Sequence, residues 1–240
     1  MTRRTKIVLG CTAFLITLGL VIALIINRPS RPTVEYTDQA TIRAAMKWPA
    51  WKIALDRLLS LVPPLRNALN PTLNVNADLM ELRVSPELVV SNLLSGLPET
   101  VTNSLRAWVL TPAQLATLKS GLKEPNYVGH AGNPRVTTME GVGATLSTGK
   151  STLVDGNRRY SRVEVDVYPK TSGSDIHLLA HVQVTDSTLL GKTGTVVLSL
   201  VTNFQIGLRA SFPDGGAVFV LDQKSSNAVL ISAQEQKSKK

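Results

Sequence analysis

The C-terminal half of the chain alternates apolar and polar residues with a period of two. Val163, Val165 and Val167 are separated by charged residues, and a second run from Ile176 to Val184 repeats the pattern. Successive side chains of a strand point to opposite faces, so this period is typical of strands with one buried face. Similar runs, separated by turn residues, follow at 195–202, 205–212, 217–221 and 227–232. The connections are too short for helical crossovers, so the pattern predicts a mainly antiparallel β-rich unit over residues 124–233.

Residues 40–123 show a helical period instead. In Trp51–Val62 the apolar residues recur at helical spacing until a pair of prolines ends the pattern. We expect this amphipathic helix to pack on its own domain, with a position on a membrane surface as the alternative. A second predicted helix begins at Ser85-Pro86-Glu87.

A third helix carries a start signal that local chemistry explains. Thr111 supplies a hydroxyl for an unpaired amide, Pro112 occupies the first helical position, and Gln114 can bond back to the amide of Thr111. These residues form a capping box, and the apolar stripe that follows predicts a helix running to about Lys123.

The N-terminal part of the chain contains a long apolar run. Ile7–Ile26 is 20 residues without a charge, and at roughly 1.5 Å per helical residue it would span about 30 Å, the thickness of a bilayer's hydrocarbon core. A cleaved signal peptide usually has a shorter apolar stretch, so we predict an uncleaved transmembrane helix, with a cleaved signal as the alternative. The predicted anchor residues are Ile7, Leu9, Phe14, Leu15, Leu18, Val21, Leu24 and Ile26.

These patterns predict the organisation of the whole chain. The predicted segments are a cytoplasmic N-terminus at 1–6, the transmembrane helix at 7–26, a linker at 27–39, a mainly helical region at 40–123, the β-rich domain at 124–233 and a basic tail at 234–240. The predicted fold class is α+β, with an N-terminal transmembrane helix, a helical region and then a mainly antiparallel β-rich domain. The basic residues that precede the apolar run favour a single-pass protein with this domain outside the cytoplasm.

The distribution of charge disfavours nucleic-acid binding. The net charge is +9, but residues 1–31 contribute +5 and residues 237–240 contribute +3. The remaining residues, 32–236, therefore carry only +1. A nucleic-acid-binding domain concentrates positive charge on its folded surface, so we expect no nucleic-acid partner.

The stretch from Gly143 to Gly156 has the letters of a phosphate-binding loop. Ala144 is followed at the right spacing by Gly149, Lys150 and Ser151. A phosphate-binding loop also needs a helix whose N-terminus faces the phosphates, and here a turn and an alternating strand pattern follow. We therefore predict a hairpin or loop that binds no nucleotide, and an NTPase remains a remote alternative.

The other polar residues do not form a catalytic or metal-binding pattern. On one strand, His177 and His181 would lie about 13 Å apart at roughly 3.3 Å per residue, too far to share one ion without help. Glu164 and Asp166 share a strand face but lack a third group that would mark acid–base chemistry. We expect no catalytic residue, no cofactor-binding residue, no metal site and no enzymatic activity.

An ordered set of short motifs runs from Leu110 to Asp222. A helix is followed by a strand, a turn, a valine-rich strand ending in proline and a late hairpin, with motif residues Pro134, Arg135, Val136, Thr137, Thr138, Gly141, Ala144, Pro169, Asp214, Gly215 and Gly216. This order resembles the C-terminal β domain of bacterial secretins, the outer-membrane pore proteins of type II and type III secretion systems. The resemblance implies a secretin-like β fold.

The resemblance and the patterns lead to one functional expectation and one alternative. We expect a protein of the cytoplasmic (inner) membrane that displays a periplasmic or extracytoplasmic binding or assembly module, linked to a secretion system. Its expected partners are the membrane and envelope proteins or further copies of itself, paired through an exposed sheet edge. The alternative is a pore-forming, secretin-type subunit that assembles into a ring.

Overall fold

The alternating segments form strands in the computed structural model of the chain. The structure describes residues 32–46, 58, 61, 72–123, 127–154, 157–190, 197–224 and 226–236, which belong to one unit that extends from Arg31 to Lys240. The elements with described bounds are β1 (Thr33–Thr37), α1 (Gln39–Met46), β2 (Thr72–Leu82), α2 (Pro86–Leu93), β3 (Glu99–Thr102), β4 (Leu105–Leu110), α3 (Pro112–Gly121), β5 (Val128–Gly132), β6 (Arg135–Met139), β7 (Ala144–Val154), β8 (Asn157–Ser172), β9 (Asp175–Leu190), β10 (Val197–Pro213), β11 (Ala217–Asp222) and β12 (Asn227–Glu235).

The first sheet, sheet A, contains four strands that are consecutive in the sequence and one distant strand, β1. Its order is β1-β10-β9-β8-β7, and all its pairs are antiparallel. Strands β7 to β10 form a meander, as expected where short turns join consecutive strands. The two runs predicted at 195–202 and 205–212 are one strand, β10, with an irregularity in register between Thr202 and Phe204.

The second sheet, sheet B, is built from distant parts of the sequence. Its order is β3-β4-β11-β12-β2, and β5 and β6 both pair with β2 at the far edge. All of these pairs are antiparallel. The last strand, β12, therefore lies between β11 and β2 and completes the middle of the sheet.

The two sheets pack face to face around an apolar core. The alternating valines Val163, Val165 and Val167 point into it from sheet A and are at most 1% exposed. The inner face of sheet B supplies Leu73, Val75 and Ala77 of β2, together with residues of β4, β11 and β12. Burying alternate residues of each strand produces the predicted period of two.

Part of the outer face of sheet B is also buried, because α2 and α3 cover it. Trp108 and Phe219 form the centre of this second cluster, with ring centroids 6.0 Å apart at 36°. Leu115 and Leu118 of α3 and Val89 of α2 pack against them. Strands β4 and β11 are thus buried on both faces.

Helix α1 lies on the outer face of sheet A. Its Ile42 is fully buried. Gly207 of β10 permits this close approach, since a side chain there would collide with the Thr37 carbonyl oxygen and meet Ile42 Cδ1 at 3.1 Å. Sheet A therefore has an apolar inner face and a partly covered outer face.

The α+β prediction is wrong, because the described chain is mostly β-strand with three short helices. The region predicted as mainly helical, 40–123, contains strands β2, β3 and β4. The helices predicted at Ser85 and Thr111 do form, as α2 and α3. Of the helix predicted over Trp51–Val62, only Leu58 and Leu61 are described, and they are 65% and 78% exposed.

The membrane prediction also requires correction. In the ranges that the structure describes, no helix is long and apolar enough to cross a membrane. The predicted single-pass topology, the inner-membrane localisation and the transmembrane part of the fold class are therefore not supported. The predicted anchor residues Ile7, Leu9, Phe14, Leu15, Leu18, Val21, Leu24 and Ile26 lie outside the described residues.

Candidate functional site

The four meander strands of sheet A run on past the part of the core that the structure describes. The last described core residues toward that end are Val163 of β8, Val184 of β9 and Ile206 of β10. From there β8 reaches back to Asn157 and β9 runs on to Leu190. At roughly 3.3 Å per residue, this extension is about 20 Å long.

One edge of the extension belongs to β10. Strand β1 pairs with β10 only from Gly207 to Ser211. Over Val197–Ile206, β10 pairs with β9 on one side, and no strand in the described part of the chain pairs with its other side. Successive residues of a strand direct their N–H and C=O groups to alternate sides, so this edge presents a row of main-chain groups that no described strand pairs with.

The opposite edge of the extension belongs to β7. Near its start β7 approaches sheet B so closely that a side chain at Gly132 would collide with Thr148. From Lys150 to Val154, β7 pairs with β8, and no other described strand pairs with it. In the described structure, no strand pairs with the other side of β7 along Ala144–Val154.

The two open edges lie at the same level of the sheet. Ser151 is paired with Tyr160, Tyr160 with Ser187, and Ser187 with Leu200. Three steps of about 4.8 Å place Ser151 and Leu200 about 14 Å apart on opposite edges of one ribbon. The extension therefore presents two edges, one on β7 and one on β10, that point away from each other.

The neighbouring part of sheet A is joined to sheet B by side chains. The Tyr36 hydroxyl of β1 donates to the Thr100 carbonyl at 2.8 Å and lies 3.2 Å from the Leu105 carbonyl. The Thr100 hydroxyl donates in return to the Val34 carbonyl at 2.9 Å. These bonds link β1 to β3 and β4, so the sandwich is closed here while the extension is open.

The first group of motif residues lies at β6 and at its crossover to β7. The Pro134 carbonyl accepts a bond from the Ala77 amide at 3.0 Å. The Thr137 hydroxyl donates to Asn74 Oδ1 at 2.8 Å, and the Thr138 hydroxyl donates to the Val142 carbonyl at 3.1 Å. These residues fix the path of β6, which belongs to sheet B, and of the crossover that leads from it to β7 in sheet A.

Gly141, Pro169 and the turn at Asp214–Gly216 lie at the closed end of sheet A, opposite the open edges. The Gly141 amide donates to the Pro169 carbonyl at 2.7 Å. Asp214 Oδ1 accepts a bond from the Glu235 amide at 2.7 Å, and Gly215 has φ +78°. Gly216 packs so near the Leu110 carbonyl that a Cβ would lie 2.6 Å from it. Of the remaining three, Arg135 is exposed, and Val136 and Ala144 pack against the core.

The stretch with the letters of a phosphate-binding loop is part of an edge strand. Gly149, Lys150 and Ser151 lie within β7, paired with Arg162, Ser161 and Tyr160. The next element is strand β8, so no helix N-terminus follows the Lys-Ser pair. The stretch instead contributes one of the two open edges.

His181 is a buried residue that the sequence pattern placed on a polar face. It is 3% exposed, and its Nε2 lies 2.9 Å from Gln205 Nε2. Its Nδ1 lies 3.7 Å from Asp166 Oδ2, and Asp166 Oδ1 accepts a bond from the Thr145 hydroxyl at 2.6 Å. Burial lowers the pKa of His181 below its usual value, although the Asp166 carboxylate opposes this shift. Both ring nitrogens therefore lie near polar side chains of neighbouring strands. His181 of β9 thus connects Asp166 of β8 with Gln205 of β10 on the outer face of sheet A.

His177 lies on the same strand but in a different environment. It lines a cavity of about 290 Å³ together with Ala45, Tyr168, Lys170 and Arg209. The Lys170 ammonium stands 5.4 Å from the centre of the Tyr168 ring. In the described residues, no group of three or more His, Cys, Asp or Glu side chains is placed to hold a metal ion.

No protein-family model matches the chain, and no curated protein matches it. The geometry of the open edges is therefore the basis for a functional proposal.

Proposed function

We propose that this protein is a non-enzymatic binding or assembly module that pairs the open edge of β10 with an extended segment of another chain. The observation that carries the proposal is the stretch Val197–Ile206, which has a strand partner on only one side in the described structure. A strand added to this edge would gain main-chain hydrogen bonds along its length.

The sequence of this edge supports the proposal. Residues 197–206, VLSLVTNFQI, contain no charge and no proline. Proteins usually protect open edges with lysine, proline or a covering element, because an uncharged edge rich in β-formers pairs with other chains. An edge that carries no charge and no proline, and that no described strand pairs with, fits a surface that a partner normally covers.

The resemblance to secretins supports the same class of function. Secretins are assemblies, and the secretin-like motif residues, such as Gly141 and Pro169, lie at the closed end of sheet A. We propose that these motifs maintain the fold while the open end makes the protein contacts, within an assembly related to protein secretion.

Site-directed crosslinking tests the proposal, and the chain is suited to it. Cys11 is the only cysteine, so a Cys11→Ser background allows single cysteines to be introduced. We expect Ser199→Cys, in the open edge, to crosslink to a partner chain or to a second copy. Ser91→Cys, exposed on α2, is the matched control and should give no such product. If the two variants crosslink equally, or if Ser199→Cys stays monomeric with every partner offered, the proposal is wrong.

A ring-forming subunit is a second candidate function, and one specific observation favours it. The open edges of β7 and β10 lie at the same level, and β7 runs antiparallel to β10 after three antiparallel steps. The β7 edge of one copy could therefore continue the sheet onto the β10 edge of the next. Head-to-tail contacts of this kind generate rings or open filaments.

Mixing two single-cysteine proteins separates the two candidates. If copies pair head to tail, a Ser151→Cys protein and a differently tagged Ser199→Cys protein should form a mixed disulfide. Electron microscopy of the same sample should then show rings or filaments. A Ser199→Cys protein that crosslinks only to a different protein supports the binding module and rejects the ring.

A further inference from the structure

The cavity of about 290 Å³ on the outer face of sheet A, beside α1, is built by three neighbouring strands. Alternate residues of β8 pack into the core between the sheets, which leaves Tyr168 and Lys170 on the outer face. Tyr168 is paired with Leu179 of β9 and Leu179 with Arg209 of β10, while Lys170 is paired with His177. These five residues form one continuous patch, and all of them line the cavity.

The polar groups of this patch can be reached from solution. Lys170 and Arg209 are exposed, and His177 is half-buried. No ion pair or side-chain hydrogen bond joins any of the three to another described residue. Glu35 is paired with Arg209 across β1 but does not line the cavity. Two cations and an imidazole are therefore accessible there, with no acid among the described lining residues.

The two cations are placed to act on one ligand. Lys170 and Arg209 occupy opposite corners of the patch, where two strand spacings and two residues along the strands separate their Cα atoms by about 12 Å. The Lys170 ammonium lies 5.4 Å from the centre of the Tyr168 ring, so it is held over the patch. The planar guanidinium of Arg209 is suited to binding a carboxylate or phosphate through two hydrogen bonds. This arrangement attracts an anion and repels a cation.

The surface between the two cations is apolar. Tyr168 is only 8% exposed, and Leu179 and Ala45 add aliphatic surface to the lining. A cavity of about 150 Å³ can hold benzene, so about 290 Å³ leaves room for one ring together with an acid group. A simple inorganic anion would leave the apolar surface in contact with water, whereas an anion with an apolar body would cover it.

We propose that this cavity binds a small organic acid with an apolar body of about one ring. Its acid group faces Lys170 and Arg209, and His177 offers a further polar contact. Its apolar body lies on Tyr168 and Leu179. The cavity is on the face of the sheet rather than at an open edge, so this binding does not depend on the proposed pairing with another chain.

Three related probes test the ligand class on the full chain at constant ionic strength. Phenylacetate carries the acid and the ring, 2-phenylacetamide has the same shape without the charge, and acetate lacks the ring. By calorimetry or saturation-transfer NMR, we expect phenylacetate to bind about tenfold more tightly than either of the others. The proposal is overturned if phenylacetate does not bind, if the amide binds as tightly, or if acetate does.

Two pairs of charge-matched variants locate the binding. Lys170→Gln and Arg209→Gln each remove one cation from the cavity, and we expect each to weaken phenylacetate binding about fivefold to tenfold. Lys224→Gln and Arg135→Gln remove the same charges elsewhere and should leave the affinity within about twofold. All four positions are exposed, so the fold should tolerate each change. Equal affinities in the cavity variants and their controls would place the bound acid elsewhere and refute the proposal.

Two adjacent residues of α1 provide a further test of position. Ala45 lines the cavity, whereas Ala44 is exposed and does not. Ala45→Glu places a carboxylate beside the two cations, so we expect it to weaken phenylacetate binding at least tenfold. Ala44→Glu adds the same charge to the same helix and should have a clearly smaller effect. If the two variants lose affinity equally, the acid does not bind in this cavity.

Discussion

The backbone amide of Gly141 donates a hydrogen bond of 2.7 Å to the carbonyl oxygen of Pro169. The bond joins the crossover between the two sheets to the end of β8, and it requires Gly141 to adopt φ +65°. Residues with a Cβ seldom adopt this conformation. Gly141 and Pro169, which belong to separate sequence motifs, are thus joined by a direct hydrogen bond. The backbone conformation at position 141 favours glycine.

Gly141→Ala should destabilise the fold through backbone conformation. The left-handed conformation costs a non-glycine residue about 1–2 kcal/mol, so the free energy of unfolding in urea should fall by about that amount. Gly149→Ala is the control, since Gly149 is exposed on β7 and is not among the glycines with positive φ. We expect the control to change stability by less than about 0.5 kcal/mol. Equal losses in both variants would contradict the conformational explanation.

Tyr36→Phe should loosen the junction between β1 and β3. The variant loses the hydroxyl that bonds to the Thr100 carbonyl and lies near that of Leu105. A hydrogen bond of this kind contributes about 1 kcal/mol, and leaving its acceptors unpaired adds to the loss. Tyr127→Phe removes only an exposed bond from Asn92 and should cost less. Urea unfolding of both variants at neutral pH measures the difference.

Because of the ionisation of Tyr36, we also expect the folded state to lose stability in alkali. Burial, helped by the nearby Glu99 carboxylate, raises the pKa of Tyr36 to about 12 from its usual value of 10.0. The unfolded chain therefore ionises Tyr36 first, and stability falls as the pH rises from about 10 through 12. Tyr36→Phe should show a shallower decline in its urea midpoint over that range. A parallel decline in both proteins would assign the alkaline transition to other groups.

Because of the protonation of His181, we expect the folded state to lose stability in mild acid. Burial is the main cause of its lowered pKa, Arg43 adds to it, and Asp166 opposes it. Below about pH 6.5 the unfolded chain binds the proton more readily than the folded chain, so stability falls with pH until the lowered pKa is passed. The urea midpoint should therefore drop between pH 7.5 and pH 5.5. In His181→Gln the drop should be smaller, and an unchanged drop would show that other groups cause it.

The N-terminus of α3 provides a matched pair of threonine variants. Thr111 makes the full capping box: its hydroxyl accepts from the Gln114 amide at 3.4 Å, and its amide donates to Gln114 Oε1 at 2.8 Å. Thr111→Ala should cost about 1 kcal/mol. Thr117→Ala changes an exposed threonine in the same helix and should cost less than half as much. Thermal or urea unfolding compares the two, and equal effects would show that the cap does not stabilise the fold.

The parts of the fold that local sequence determines were predictable. The capping box at Thr111 and the alternation of Val163, Val165 and Val167 depend on neighbouring residues, and both elements form as expected. Strand β2 has the same alternation in Leu73, Val75 and Ala77 but lies in a region dominated by helical periods, and it was missed. Its pattern was readable in the sequence.

Other parts of the fold depend on distant residues and leave little local signal. Strand β4 is buried on both faces, because Trp108 packs under the helices and Ala107 packs between the sheets. A strand buried on both faces has no period that separates it from a helix. Two further features depend on how separate elements pack, and the sequence period does not predict them. One is the burial of His181, and the other is the buried Asp78 Oδ1, which has no hydrogen-bond partner in the described structure.

The open edges could be predicted only in part. The sequence indicates that Val197–Ile206 is uncharged strand, but the length of β1 decides which part of β10 stays unpaired. That length follows from the start of α1 at Gln39, and the position of α1 on sheet A depends on Gly207, which is distant in the sequence.

The position of β12 determines when the protein can fold during its synthesis. Strands β7 to β10 of sheet A are consecutive and can pair as each hairpin leaves the ribosome. The middle of sheet B needs β12 between β11 and β2. Glu235 of β12 pairs with Leu73 of β2, so this contact joins residues that are separated by most of the chain. A chain that stops before Asn227 would leave the buried faces of β2 and β11 without a partner. Incomplete translation products should therefore expose apolar surface and be recognised by chaperones and proteases, whereas the finished chain conceals it.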